Sequence, residues 1–334
     1  MRINPRVQHS RSEPREESVI IASTKTHRPH ESYRHEAFFW RDDEEFLAGM
    51  VPFIQDGLEA DEPVMVAVID ERIKLLEEAL GADADDVQFV DMGELGRNPA
   101  RIIPGWQQFL DQHPAHGRPV RGIGEPIWAG RRPEEILECQ LHEALLNVAV
   151  KPGTPFWLLC PYNTAQLDES VLEEAHRSHP AILDAEEYRG STLYGGRDHV
   201  EAVFGSDLPT LHGHPEQLYF NRETLQRVLS FVAVLSHTAG VEAGKAANLA
   251  VAVHQVAASS LHRAAMGGVV RVWRHSDAVI CEVHDHARVN DPLAGRRSGP
   301  ANERGGLWLA NQLCDLVQLR STATGTTVRL HHWI

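Results

Sequence analysis

The chain has 334 residues, with 47 acidic and 32 Lys or Arg side chains, and carries a formal charge of −15. At ~100–200 residues per domain, and with 42% hydrophobic and 24% charged residues, this is the composition of about two globular domains rather than of a disordered chain. The acidic balance opposes binding to duplex DNA, whose phosphates demand basic counter-charge, and suits a partner with a basic surface.

Residues 1–31 contain no aromatic residue and no glycine, and the composition predicts a flexible tail. The first residues lead into no apolar signal core. The longest apolar runs, such as 249–253, fall far below the ~18 residues a membrane span requires. Cys139, Cys160, Cys281 and Cys314 are widely spaced, which fits neither a disulfide framework nor a zinc knuckle. A reducing, cytoplasmic setting is therefore expected.

From residue 32 the pattern alternates. Apolar runs at 64–69, 87–90, 119–123 and 156–160 predict strands, and segments around 73–80, 99–110, 133–148 and 168 onward predict helices. Such alternation implies a parallel sheet covered on both faces. A linker is expected over 198–217, where Gly and Pro recur. Helices are then predicted around 225–232 and 242–265, strands at 269–274 and 279–283, a helix at 306–316, and a hairpin turning at Thr324 and Gly325. This second half reads as an α+β sandwich spanning 218–334.

Four segments of the second half follow one another: AVHQVAASSLHRA on the 242–265 helix, HDHARVNDPLAG from 284, RGGLWLANQLCD from 304, and TGTTVRL from 324. Their order resembles the ATPase domain shared by histidine kinases, Hsp90-type ATPases and anti-sigma-factor serine kinases (the Bergerat fold), nearest the anti-sigma branch. In that family a helix Glu activates the attacking group, and an Asn four residues later holds Mg²⁺. Gln255 and Ser259 stand at those positions. Gln accepts no proton near neutral pH, and the Ser hydroxyl is a shorter, weaker ligand. The resemblance assigns the adenine-reading carboxylate to Asp285. Ala287 and Val289 replace two glycines, Arg304, Gly305 and Gly306 form a scrambled box, and Gly325 and Thr326 are retained. Phosphoryl transfer depends on metal and charge placement, so the resemblance implies a degenerate site. ATP with Mg²⁺ would bind there weakly or not at all, no cofactor is required, and turnover is not expected.

In the first half, HEAFFW from His35, GIGEPIW ending at Trp128, EALLN over 143–147, LCPY ending at Tyr162 and SHP over 178–180 together resemble the MEDS domain, a sensory module with a RecA-like look. No G-x-x-x-x-G-K-[ST] phosphate loop occurs in it. In open α/β sheets, ligands sit beyond the carboxyl ends of strands. That places Glu125, Trp128, Tyr162 and Asn163 near a sensory pocket flanked in sequence by His35 and His179, with a small molecule as its ligand. His35 itself reads as a packed or capping histidine. Among the 20 histidines, His212 with His214 and His331 with His332 lack companion ligands at zinc spacing, so no metal is expected.

The whole chain is similar to actinobacterial regulators of the RsbA family. The domains expected are a tail over 1–31, a sensor over 32–197, the linker, and the ATPase-fold domain over 218–334. The implied partners are a sigma factor or the antagonist that competes for it, with no direct DNA or membrane binding. Two alternatives stay open: an active ATP-dependent protein kinase, and a small-molecule sensor whose output domain serves as a homodimer contact.

Overall fold

The computed structural model describes residues 32–113, 118–184, 187–210, 212–263, 267–297 and 305–334. The expected N-terminal tail and Arg304 lie outside the described residues.

The first domain opens with β1 (Arg34–Trp40), α1 (Asp43–Glu59), β2 (Val64–Val68) and α2 (Asp70–Leu80). It continues through β3 (Gln88–Asp91), α3 (Met92–Leu95), α4 (Ile102–Gln112), β4 (Val120–Gly124) and α5 (Pro133–Ala149). β5 (Phe156–Asn163), α6 (Glu169–Ser178), β6 (Ala181–Leu183), β7 (Tyr188–Gly190) and α7 (Gly196–Phe204) complete it. Its sheet runs β3-β2-β4-β5-β1-β6-β7, parallel throughout except for the β6–β7 edge pair. Burial on both faces explains the unbroken apolar runs: every residue of β2 and of β4 is buried. Local chemistry sets the helix starts. Asp42 caps α1 by accepting the Glu45 N–H, and Pro133 opens α5 while Glu135 reaches back to the Arg132 N–H.

The second domain comprises β8 (Glu216–Phe220), α8 (Arg227–Thr238), α9 (Ala243–Arg263), β9 (Gly268–His275) and β10 (Ala278–Asp285), then α10 (Gly306–Leu313), β11 (Leu316–Thr322) and β12 (Gly325–Trp333). Its antiparallel sheet has the order β11-β12-β10-β9-β8. Val253, Val256 and Leu261 of α9 share one core with Val270, Val279 and Val283 of the sheet. Arg271, Glu282 and Arg329 pair into a ladder elsewhere on the same three strands.

Two expectations change. The 198–217 stretch is not simply a connector, because α7 fills its first part, burying Val200 and Phe204. The 306–316 helix ends at Leu313, and Leu316 already belongs to β11. Among the described residues no helix is long and apolar enough to cross a membrane.

The domains are joined by more than chain continuity. Glu138 of α5, fully buried, pairs with Arg296 at 2.6 Å and with Arg320 of β11 at 2.7 Å. Arg101 donates to the carbonyls of Asn311 and Gln312 at 2.9 and 2.8 Å, capping the negative end of α10 from the other domain. Arg132 pairs with Asp277 and lies 4.3 Å over the Trp333 ring.

Candidate functional site

Four elements of the first domain deliver polar side chains to one dry position beside the sheet. β1 brings His35, β5 brings Cys160, α5 brings Glu143 and Asn147, and the end of α6 brings His179. His35 pairs in register with Leu158 and Ala37 with Cys160, so both His35 and Cys160 lie short of the sheet's carboxyl edge. All four titratable groups are buried, none more than 3% exposed. His35 Nε2 lies 3.0 Å from Glu143 Oε2 and 3.5 Å from Cys160 Sγ, and His179 Nε2 lies 3.2 Å from the same carboxylate oxygen.

Each imidazole is oriented from behind. His35 Nδ1 faces Asn147 Oδ1 at 3.2 Å, and the Asn147 amide is itself pinned by donating to the Ser178 carbonyl at 2.7 Å. His179 Nδ1 faces the Ala175 carbonyl at 2.8 Å. With both Nδ1 atoms committed as donors, both Nε2 atoms point at Glu143. The Tyr33 ring stacks on His35 at 5.9 Å, and Tyr162 meets His179 edge-on at 5.6 Å.

Burial pushes the Glu143 carboxyl up, but the adjacent imidazoles of His179 and His35 outweigh it and hold Glu143 well below the carboxylate range. Burial, then the neighbouring His179, lowers His35, while burial and the Glu143 charge raise the Cys160 thiol well above its ordinary value. Glu143 Oε1, His179 Nε2 and the hydroxyls of Tyr33 and Tyr162 have no hydrogen-bond partner among the described residues.

Of the residues singled out for a sensory pocket, His35, Tyr162 and His179 thus come together. The other three sit elsewhere. Glu125 directly follows β4, beside Ile69 and Arg72, only 3% exposed, with Oε2 unpartnered. Burial pushes its pKa up to about 8, against a smaller opposing pull from Arg72. Trp128 is half-buried beneath the Arg131 guanidinium, 3.9 Å from its ring centroid. Asn163 lines a cleft of about 550 Å³ at the carboxyl edge with Arg72 and Asp42. Glu143 and Cys160 lie within the EALLN and LCPY segments, far in sequence from His35. The signal for Glu143 was present, since Glu143 and Asn147 share a helix face at i and i+4.

The second set of candidates also converges. Gln255 and Ser259 of α9 abut the first turn of α10, where Gly306 packs so closely that a Cβ would fall on the Gln255 carbonyl oxygen and 2.7 Å from Ser259 Oγ. Gly305 precedes it as the helix cap. At the end of β10, Asp285 accepts from Ser260 Oγ at 2.5 Å, from Arg263 at 3.0 Å and from the Ala287 N–H at 2.8 Å. Asp285 is 2% exposed and its two oxygens are taken up by these donors. Thr326 donates to the Ala287 carbonyl at 2.7 Å and accepts the Val289 N–H. Gly325, with φ 137°, brings the turn against the Asp285 carbonyl, where a Cβ would clash. Ser260 and Arg263 went unrecognised in the sequence, although their spacing from Gln255 and Ser259 puts them on the same helix.

Residues 34–180 match the family model MEDS, described as MEthanogen/methylotroph, DcmR Sensory domain. No curated protein matches the chain. Among solved structures, the RsbU and RsbW domains of Rv1364c from Mycobacterium tuberculosis are similar at 19% identity, over 36% of this chain and 32% of that one, with a TM-score of 0.28. The chain thus spans about a third of that structure's length. The family match thus falls on the first half of the chain, from β1 to the end of α6.

Proposed function

We propose that the protein is a signal-responsive regulator of transcription that works by binding other proteins: a MEDS-type sensor sets the state of an anti-sigma-type ATPase-fold domain that has lost phosphoryl transfer. The observation that carries this reading is the buried Glu138 clamp. One rigid helix, α5, holds Glu143 and Asn147 against the histidine pair and, less than two turns earlier, grips Arg296 and Arg320 of the second domain. A change at the cluster therefore has a direct mechanical route to the output domain.

A RecA-like ancestry for the sensor is supported by the parallel order β2-β4-β5-β1-β6. Phosphate binding is disfavoured, because Asp43, Glu44 and Glu45 fill the first turn of α1, the helix end that would otherwise attract an anion. The Bergerat-type reading of the second domain is supported by three of its motifs meeting at Asp285 while the fourth packs Gly306 against Gln255 and Ser259. Loss of turnover is supported by Gln255 and Ser259 and by the engagement of Asp285 with Arg263 and Ser260. The partners this implies are a sigma factor or its antagonist, under a small-molecule or chemical signal at the first domain.

Calorimetric titration of the purified chain with Mg-ATP tests the degenerate site. Negligible heat is expected, and the double reversion Gln255→Glu with Ser259→Asn should gain magnesium-dependent affinity. Micromolar binding by the unmodified chain, with phosphate transfer to a partner, would make it a kinase instead. Affinity purification from the native cell should recover a sigma factor or its antagonist, and consistent recovery of neither rejects the partner-binding reading.

A further inference from the structure

We propose that His35, Glu143, Cys160 and His179 are the four ligands of a buried divalent transition-metal ion, zinc by the chemistry of the set. One ligating atom from each lies within 4.8 Å of all the others. Two imidazole nitrogens, a thiol sulfur and a carboxylate oxygen are the donor types zinc selects. Four zinc bonds of about 2.0–2.3 Å in a tetrahedron place the donors about 3.3–3.8 Å apart. Three of the six separations, 3.0, 3.2 and 3.5 Å, stand within a few tenths of an ångström of that range, and the other three do not exceed 4.8 Å.

Three further observations separate this site from an ordinary polar network. First, the outer nitrogens are arranged as in metal sites: each Nδ1–H is given to an oxygen, Asn147 Oδ1 or the Ala175 carbonyl, which turns each Nε2 lone pair inward. Second, a self-sufficient His–Glu–His network would satisfy its own atoms, yet Glu143 Oε1 and His179 Nε2 are buried without hydrogen-bond partners. His179 Nε2 stands 3.2 Å from the carboxylate but off the direction a hydrogen bond needs. Third, the charges close. A divalent cation with one thiolate and one carboxylate is electroneutral, so a site whose ligands are 0–3% exposed carries no net charge to desolvate. Binding releases the Cys160 thiol proton to solvent and forms the sulfur–metal bond in its place.

All four ligands come from the protein, so the site is of the closed kind, which braces a fold rather than activating water. A thiolate ligand also makes it open to oxidants and thiol reagents, which would eject the ion and free α5. This last consequence rests on the proposed function, whereas the metal site itself does not.

The test uses the full chain, stripped with chelator and titrated with Co²⁺ alone. One equivalent should bind with the intense thiolate-to-cobalt charge-transfer band and the visible bands of a tetrahedral ion. Cys160→Ser should lose the charge-transfer band, whereas Cys139→Ser, Cys281→Ser and Cys314→Ser should each keep it. His179→Asn should weaken binding at least tenfold in competition with a chromophoric chelator. A wild-type spectrum without a thiolate band overturns the proposal even if every variant fails to fold, and so does a band that survives Cys160→Ser. Loss of partner binding with an intact cobalt spectrum would sink the regulatory reading and leave the metal site standing.

Discussion

At the scale of single residues, two buried carboxylates behave in opposite ways because their neighbours differ. Glu138 faces two arginines, each 4% exposed, and removing it would leave both cations buried without their counter-ion. Glu138→Ala should cost about 3–5 kcal/mol in urea unfolding, the usual penalty for breaking a buried pair from one side. Glu125 is buried with only a weaker opposing pull from Arg72 and the Ile69 backbone, and its folded pKa of about 8 stands above the 4.5 it has when exposed. The sign follows directly. Below about pH 4.5 both states are protonated; between about 4.5 and 8 only the unfolded state ionises, so stability falls as pH rises through that window. Glu125→Gln should flatten this slope and stabilise the protein by several kcal/mol at about pH 8, read from urea midpoints across the range. A variant whose slope matches the parent's would show that Glu125 is solvated.

At the scale of elements, two helices act through their ends. Arg101 satisfies two of the last carbonyls of α10 from the opposite domain, a charge-assisted cap on the negative end of the helix dipole. Arg101→Ala should cost about 1–2 kcal/mol, and hydrogen exchange should report it first in the last turn of α10. Helix α5 carries Glu138, Glu143 and Asn147, so its register fixes the histidine cluster and the domain clamp at once. Much of this was legible from sequence. The unbroken apolar run of β2 announced a strand covered on both faces, and Pro133 announced the start of α5. The α7 helix was missed because Gly195, Gly196 and Gly205 around it read as a linker, whereas tertiary burial of Val200 and Phe204 is what fixes it.

At the scale of the molecule, a single core cluster runs from Leu145 of the sensor to Leu319 and Val328 of the second sheet. Shared burial of this kind couples the unfolding of the two domains. Calorimetry should therefore show one cooperative transition for the parent chain, and Glu138→Ala should split or broaden it. Two resolved transitions in the unmodified protein would mean that the clamp contributes little to coupling.

The sequence by itself determined the class of each half, because hydrophobic period and turn residues are local properties that survive without knowledge of neighbours. Gln255 and Ser259 can also be read there as differing from the Glu and Asn of the family that the second half resembles, because such a difference is visible in one letter. Only the tertiary structure decided which residues meet. His35, Glu143, Cys160 and His179 are scattered over 145 positions, and nothing in their spacing says that β1, α5, β5 and the end of α6 converge. Likewise, the pairing of Glu138 with Arg296 and Arg320 joins residues more than 150 positions apart. Long-range polar contacts are fixed by how sheets and helices pack, and packing is a property of the whole chain.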